Sequence, residues 1–235
     1  RHNWGLIVYD EVHMLPAPVF RATAAIQARR RLGLTATLIR EDGREGDVFA
    51  LVGPKRYEAP WRALEADGWI ARAMCREIRV GMGEELRRRH ALAERRIQHR
   101  LAAENPAKLD ALRQLLRSHH GAPTLIIGQY LEQLQQASRM LDAPFIYGAM
   151  PQSERDRLFD AFRRGALPRS RHSGPLLVIS RVGNMALDLP DAEVLIQLSG
   201  TFGSRQEEAQ RLGRVLRPKP GGRTATFYTI VTRTP

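Results

Sequence analysis

The sequence predicts an α/β protein with a parallel sheet and helices on both of its faces. Three observations predict it. Helical and extended patterns alternate along residues 107–235. The extended stretches are continuous apolar runs, such as TLIIG (124–128), PLLVIS (175–180) and EVLIQL (193–198), as expected of strands buried on both sides. Helix boundaries are punctuated, with Pro151 opening one helix and Gly165 closing it.

The elements follow in order. WGLIVY (4–9) reads as a buried strand, PVFRATAAIQA (18–28) has helical apolar spacing, and RLGLTAT (31–37) reads as a short strand ending in small residues. Glycine and prolines make 50–60 a loop. Residues 84–103 form one very basic helix, with six arginines between 87 and 100; a solvated helix face and a limb laid along a nucleic-acid backbone both fit it. After Asn105-Pro106 come helix 107–117, strand 124–128, helix 130–141, strand 144–147, helix 151–164, strands 175–180 and 193–198, a helix from about 205, and strand 223–231. There is no internal repeat and no low-complexity tract.

The chain has 235 residues, 43% hydrophobic and 26% charged, enough for one large or two small domains. No apolar run approaches the roughly 20 residues a membrane-spanning helix needs, and the first residues do not read as a signal peptide. The single cysteine, Cys75, excludes an internal disulfide and fits a reducing compartment. A formal net charge of +12 points to a polyanion partner. Only Lys55, Lys108 and Lys219 are lysines; an arginine-rich, GC-rich genome is the other source of such a charge.

LIVYDEVH (6–13) runs an apolar strand into two adjacent acids. A carboxylate at the carboxyl end of a parallel strand sits where open α/β sheets bind ligands. Asp10 there suits Mg²⁺, which takes oxygen ligands from one or two carboxylates plus substrate phosphates. Glu11 suits a residue that orients or deprotonates an attacking water. LTAT (34–37) follows in the next strand's terminal turn, with two hydroxyls able to relay contacts from the acidic site. Downstream, Ser204 and Glu207 match a capping box. Gln210, Arg214 and Arg217 then fall on one helical stripe that Pro218 ends. Two guanidiniums held at a helix end suit the charge of a transferring phosphoryl group; a solvent-exposed, salt-bridged helix is the plainer reading of that stretch alone.

Together these stretches resemble the ordered motifs of superfamily 2 helicases: DEVH motif II, TAT motif III and QRLGRVLR motif VI. The XPB family of DNA repair helicases is the most similar, through Arg40-Glu41-Asp42 directly after TAT and through the block from Ser180 to Lys219. The resemblance implies RecA-like lobes: a remnant of the first (1–76), a basic, thumb-like connector (77–106) and a complete second lobe (107–235). It implies ATP and Mg²⁺ as nucleotide and metal, with Asp10 on the metal and Glu11 activating water. His13, Thr35 and Thr37 would couple the nucleotide site to DNA movement. Arg40, Glu41 and Asp42 would assist unwinding. Asp188 would contact nucleotide or the arginines, and Arg214 and Arg217 would reach the phosphates with Gln210 in support. Ser180, with Arg181 after it, occupies the place where motif V touches the DNA backbone. The implied partners are duplex or forked DNA and a nuclease or repair assembly, at a cytoplasmic, nucleoid-associated location, with no membrane.

Two departures stand out. Motif V has Ala186-Leu187-Asp188 where glycine usually leads, and no G-x-x-x-x-G-K-[ST] occurs; Gly53-Pro54-Lys55 lacks its spacing, hydroxyl and setting. The expectation is a fragment that does not hydrolyse ATP alone, with exposed sheet edges on its first-lobe remnant. The other readings to test are a DNA-binding module without turnover and a restriction-type translocase of the same superfamily.

Overall fold

The computed structural model describes residues 4–17, 22–35, 45–69, 72–168, 170–172, 174–180, 192–200 and 224–233. The chain divides into two compact units, between Leu64 and Glu65 in its first part.

In the first unit, β1 (Trp4–Tyr9) and β2 (Ala28–Gly33) pair in parallel, from Trp4 opposite Ala28 to Tyr9 opposite Gly33. Single turns of 3₁₀ helix cover Val12–Met14 and Ala22–Ala25, and α1 spans Glu45–Val52. The expected helix over 18–28 is therefore replaced, in its described part, by one tight turn and the start of β2. Pairing with β1 overrides the helical spacing of the alanines. Helix α1 reaches into the expected loop and stops at Gly53, whose φ of +125° a side chain would oppose. A small core of Val12, Leu15 and Val48 backs the carboxyl end of β1, with Tyr9, Leu51 and Val52 packed around it.

β1 itself is not buried as its apolar run suggests. Trp4, Leu6 and Val8 are each about half exposed, as are Leu32 and Leu34 of and beyond β2. Among the described residues, Ile7 and Tyr9 are the partly covered residues of the strand.

Helix α2 (Trp61–Ala66) leads into the second unit. There, β3 (Ala73–Val80), β4 (Thr124–Gly128), β5 (Phe145–Ile146), β6 (Leu176–Ser180), β7 (Val194–Gln197) and β8 (Ala225–Thr232) form one parallel sheet in the order β3-β8-β7-β4-β6-β5. Helices α5 (Ala107–Ser118), α6 (Leu131–Leu141) and α7 (Gln152–Arg163) lie between strands in sequence, as parallel crossovers require. Leu112 and Leu116 of α5 and Leu134, Ala137 and Leu141 of α6 pack with Ile126, Val178, Ile196 and Ile230 in one core. Each leucine buried there contributes roughly 1.5–3 kcal/mol. The alternate strand residues Leu125, Ile127, Leu177, Ile179 and Leu195 are buried too, so both faces of the sheet are covered.

β3 was not foreseen, and it crosses the 76/77 boundary expected from sequence. It pairs with β8 along its whole length, from Ala73 opposite Ala225 to Val80 opposite Thr232. An edge strand needs no continuous apolar run, and exposed Arg76, Glu77 and Arg79 hide it from an apolar search.

The basic stretch 84–103 is two helices, not one: α3 (Glu84–Leu92) and α4 (Arg95–Ala103). Ala93 and Glu94 are extended, with ψ near 155°, and break the helical hydrogen bonding. None of α3 is buried, Leu92 is 90% exposed, and all six arginines of the pair are exposed. The root of this hairpin is pinned by side chains. Thr232 Oγ1 donates to the Ala102 carbonyl at 2.6 Å, Gln133 Nε2 to Ala103 O at 2.6 Å, and Asn105 Nδ2 to Gly81 O at 2.8 Å. Among the described residues, no helix is long and apolar enough to cross a membrane.

Candidate functional site

The site in the first unit is built at the carboxyl end of β1. Asp10 is the first residue past the strand, exposed, with Oδ1 accepting the Glu11 N–H at 2.9 Å. Glu11 adopts the left-handed conformation, φ 51° and ψ 48°. For a residue with a Cβ this costs about 1–2 kcal/mol, and such strain clusters where a side chain must be aimed. Here it turns the chain sharply, so that two adjacent carboxylates part company.

The turn is tied to the exit of β2. Leu34 N–H donates to Tyr9 O at 2.8 Å, and Val12 N–H donates to Leu34 O at 2.9 Å. Only a glycine fits at Gly33: a Cβ there would lie 2.7 Å from Val12 Cγ2. This close approach sets Thr35 beside buried His13. Nδ1 of His13 lies 2.8 Å from Thr35 Oγ1 and 3.4 Å from Glu11 Oε2. A hydroxyl can donate to or accept from the ring nitrogen, so the threonine serves either tautomer, and the carboxylate favours a proton on the facing ring nitrogen. Glu11, His13 and Thr35 thus form one connected group across residues 22 apart in sequence. Asp10 stands beside it.

One exposed carboxylate with a single oxygen engaged fits Mg²⁺, which completes its shell with water and substrate phosphates rather than a protein cage. No cluster of three or more potential metal ligands occurs among the described residues.

The second unit presents its own carboxyl edge. The chain leaves β4 through α6 towards β5 on one side, and leaves β7 for β8 on the other. The crevice between β4 and β7 is therefore the topological switch point, where open sheets bind ligands. Two hydrogen bonds and one close approach organise it. Lys108 of α5, 4% exposed, donates Nζ to Leu198 O at 2.8 Å. Gln129 N–H donates to Ser199 Oγ at 2.9 Å. Gly128 packs so closely that a Cβ would meet Ser199 Oγ at 2.9 Å. Ser180, at the end of β6, is buried, and its Oγ and the Gln129 Oε1 have no hydrogen-bond partner. Burial lowers the Lys108 ammonium to about 8.

The expected site residues are thus partly placed. Asp10, Glu11, His13 and Thr35 come together, and Ser180 stands at the other unit's carboxyl edge. Thr37, Arg40, Glu41, Asp42, Arg181, Asp188, Gln210, Arg214 and Arg217 lie outside the described residues. Sequence reasoning missed Gly33, Lys108, Gln129 and Ser199. For Lys108 a signal existed: one of three lysines in an arginine-rich chain, it shares the helical stripe of Leu112 and Leu116.

Comparison with known proteins gives this geometry its lineage. The chain is 57% identical over 231 residues to a DNA 3'-5' helicase XPB of Kineococcus radiotolerans, covering 98% of this chain and 40% of that protein. It is 56% identical to the protein of that name from Mycobacterium tuberculosis, covering 98% and 41%. It is 39% identical to the general transcription and DNA repair factor IIH helicase/translocase subunit XPB/SSL2 of Saccharomyces cerevisiae, covering 98% and 27%. The chain thus spans about two fifths or less of the length of these relatives.

Among solved structures, it resembles a type ISP restriction-modification enzyme, LlaBIII, bound to DNA, with a TM-score of 0.72 at 11% identity over 99% of this chain and 18% of that one. It also resembles the Hef helicase domain of Pyrococcus furiosus, with a TM-score of 0.55 at 15% identity over 97% and 71%. At such identities the likeness shows a RecA-like helicase fold and nothing finer, so a restriction-type relative shares the architecture only. The profile of the C-terminal helicase region matches residues 64–234, beginning where the two compact units divide. With that match and those identities, the chain belongs to the ERCC3/RAD25/XPB C-terminal helicase family.

Proposed function

We propose that the chain is part of the motor of an ATP-driven DNA helicase or translocase of XPB type, moving 3′ to 5′ and acting in DNA repair. Its relatives' names and its family support the class of activity. The observation that carries the assignment of roles is the Glu11–His13–Thr35 group at the end of a parallel strand. Glu11 orients and deprotonates the water that attacks the γ-phosphate. His13, which is buried, holds the carboxylate in place and passes its position to Thr35, and Thr37 shares in the coupling to DNA movement. Asp10 holds Mg²⁺, which when bound neutralises phosphate charge. Arg214 and Arg217 meet the phosphates from the second lobe, Gln210 and Asp188 support them, and Arg40, Glu41 and Asp42 assist strand separation.

DNA is the macromolecular substrate. Its backbone runs along the carboxyl edge of the second sheet, past Ser180 and Arg181, and against the arginines of α3 and α4. A repair or transcription assembly is the class of protein partner, nuclease included, and a nucleoid-associated cytoplasmic location follows from the substrate. With no G-x-x-x-x-G-K-[ST] in its 235 residues, the chain by itself is expected to turn over no ATP.

Titration of the chain with duplex and forked DNA at two salt concentrations tests this reading. Each phosphate met by an arginine contributes about −0.9 to the slope of log K against log salt, so four to six contacts give roughly −4 to −5. A slope near zero, or no binding, overturns it.

A further inference from the structure

Lys108 has no place in the roles assigned above, yet it is the most unusual charge among the described residues. Its ammonium is 4% exposed, and its one hydrogen bond runs to a carbonyl, Leu198 O, at 2.8 Å. Among the described residues, no carboxylate forms an ion pair with it, and burial lowers its proton affinity. A buried cation without a counter-ion is costly. An apolar side chain on the same α5 stripe as Leu112 and Leu116 would be buried there without that cost.

The position is as informative as the charge. Leu198 is the first residue past β7, and the adjacent Ser199 accepts from Gln129, the first residue past β4. Lys108 therefore lies directly beneath the switch point. Around it stand two further polar atoms without partners, Ser180 Oγ and Gln129 Oε1, the former on a residue 3% exposed. The titratable group facing Lys108 from the neighbouring element is His99 of α4, which burial and then the Lys108 charge push towards its neutral form. Among the described residues, the β7 and β4 ends contribute the Leu198 carbonyl and the Ser199–Gln129 hydrogen bond.

We infer that the buried ammonium of Lys108 is the counter-charge for a phosphodiester docked at the β4/β7 switch point, so that backbone binding and protonation of this lysine are thermodynamically linked. The inference rests on the nucleic-acid reading above and adds to it a specific electrostatic partner. In a poorly solvated crevice, a phosphate near the strand ends stabilises the ammonium strongly, and the ammonium stabilises the phosphate equally. Without the phosphate, the amine gives up its proton near pH 8. With it, the ammonium persists towards the ordinary lysine range near 10.4. Between those values, binding must take up a proton. Affinity then falls as pH rises, by up to about tenfold per unit.

The test is calorimetric titration of the chain with a single-stranded oligothymidine and with a duplex, at pH 7 and pH 9, in buffers of differing ionisation enthalpy. At pH 9, uptake approaching about one proton per bound oligonucleotide is expected, and little at pH 7. Lys108→Met, whose apolar chain suits the site, should abolish the uptake and bind at least about tenfold more weakly at pH 7. Lys108→Arg stays charged at both pH values, so it should bind without uptake and lose less affinity at pH 9 than the natural chain. Equal uptake in the natural chain and Lys108→Met, or none in the natural chain, overturns this inference and leaves the nucleic-acid reading standing. No binding of either oligonucleotide at either pH overturns both.

Discussion

Glu11→Gln in the full-length protein is expected to lower DNA-stimulated ATP turnover by about 10²–10⁴-fold while nucleotide still binds. Glutamine keeps the length and shape of the side chain and occupies the same left-handed backbone at no added strain. It cannot take the proton of an attacking water. Its amide also presents donors to His13, whose Nδ1 now lies 3.4 Å from a carboxylate oxygen. Glu11→Gly separates the two contributions of this position. Glycine relieves the cost of φ 51° and should hold or raise stability by about 0.5–1 kcal/mol, yet its turnover should fall as far as that of the glutamine variant. Single-turnover hydrolysis and thermal unfolding of both variants check this. A glycine variant that hydrolyses like the natural protein contradicts the general-base role.

The second large effect is expected at the arginines. Arg214→Ala or Arg217→Ala in the full-length protein should reduce the hydrolysis rate by about 10³-fold or more, the range for guanidiniums supplied to a transferring phosphoryl group. Lysine should not rescue either position, because a point charge does not reproduce the planar fork that meets two oxygens at once. Rescue by lysine would show that charge alone is needed at these positions. Rapid-quench measurement at saturating nucleotide and DNA isolates the chemical step from binding.

The second sheet was legible in sequence because its strands are buried on both faces, which makes TLIIG, LLVIS and VLIQ apolar but for Thr124, Ser180 and Gln197 at their ends. The same rule misled at β1. WGLIVY has that pattern, but half of its apolar side chains face outward among the described residues. It concealed β3, where an edge position tolerates arginine and glutamate. The two-residue break at Ala93-Glu94 carried no proline or glycine to announce it. In the site, the identities of Asp10, Glu11, His13 and Thr35 were legible from their order and spacing. The bond between His13 and Thr35 was not, because it depends on the parallel register of β1 and β2 and on the Val12–Gly33 approach that lets the two turns meet. Lys108 was invisible for another reason: a lysine on an apolar stripe reads as a stem lying along the surface, and only the fold shows its amine buried.

The connected group at the end of β1 is the centre of the account, and Thr35→Val examines it most directly. Valine preserves the branched shape and removes only the hydroxyl that His13 reaches at 2.8 Å. The quantity to measure is the ratio of ATP turnover with saturating DNA to turnover without DNA, in the full-length protein. If the histidine carries the state of the acid site to the turn that leads towards DNA, that ratio falls by at least about fivefold, the lower end of typical coupling between sites. A Thr35→Val protein that keeps the natural ratio would contradict it.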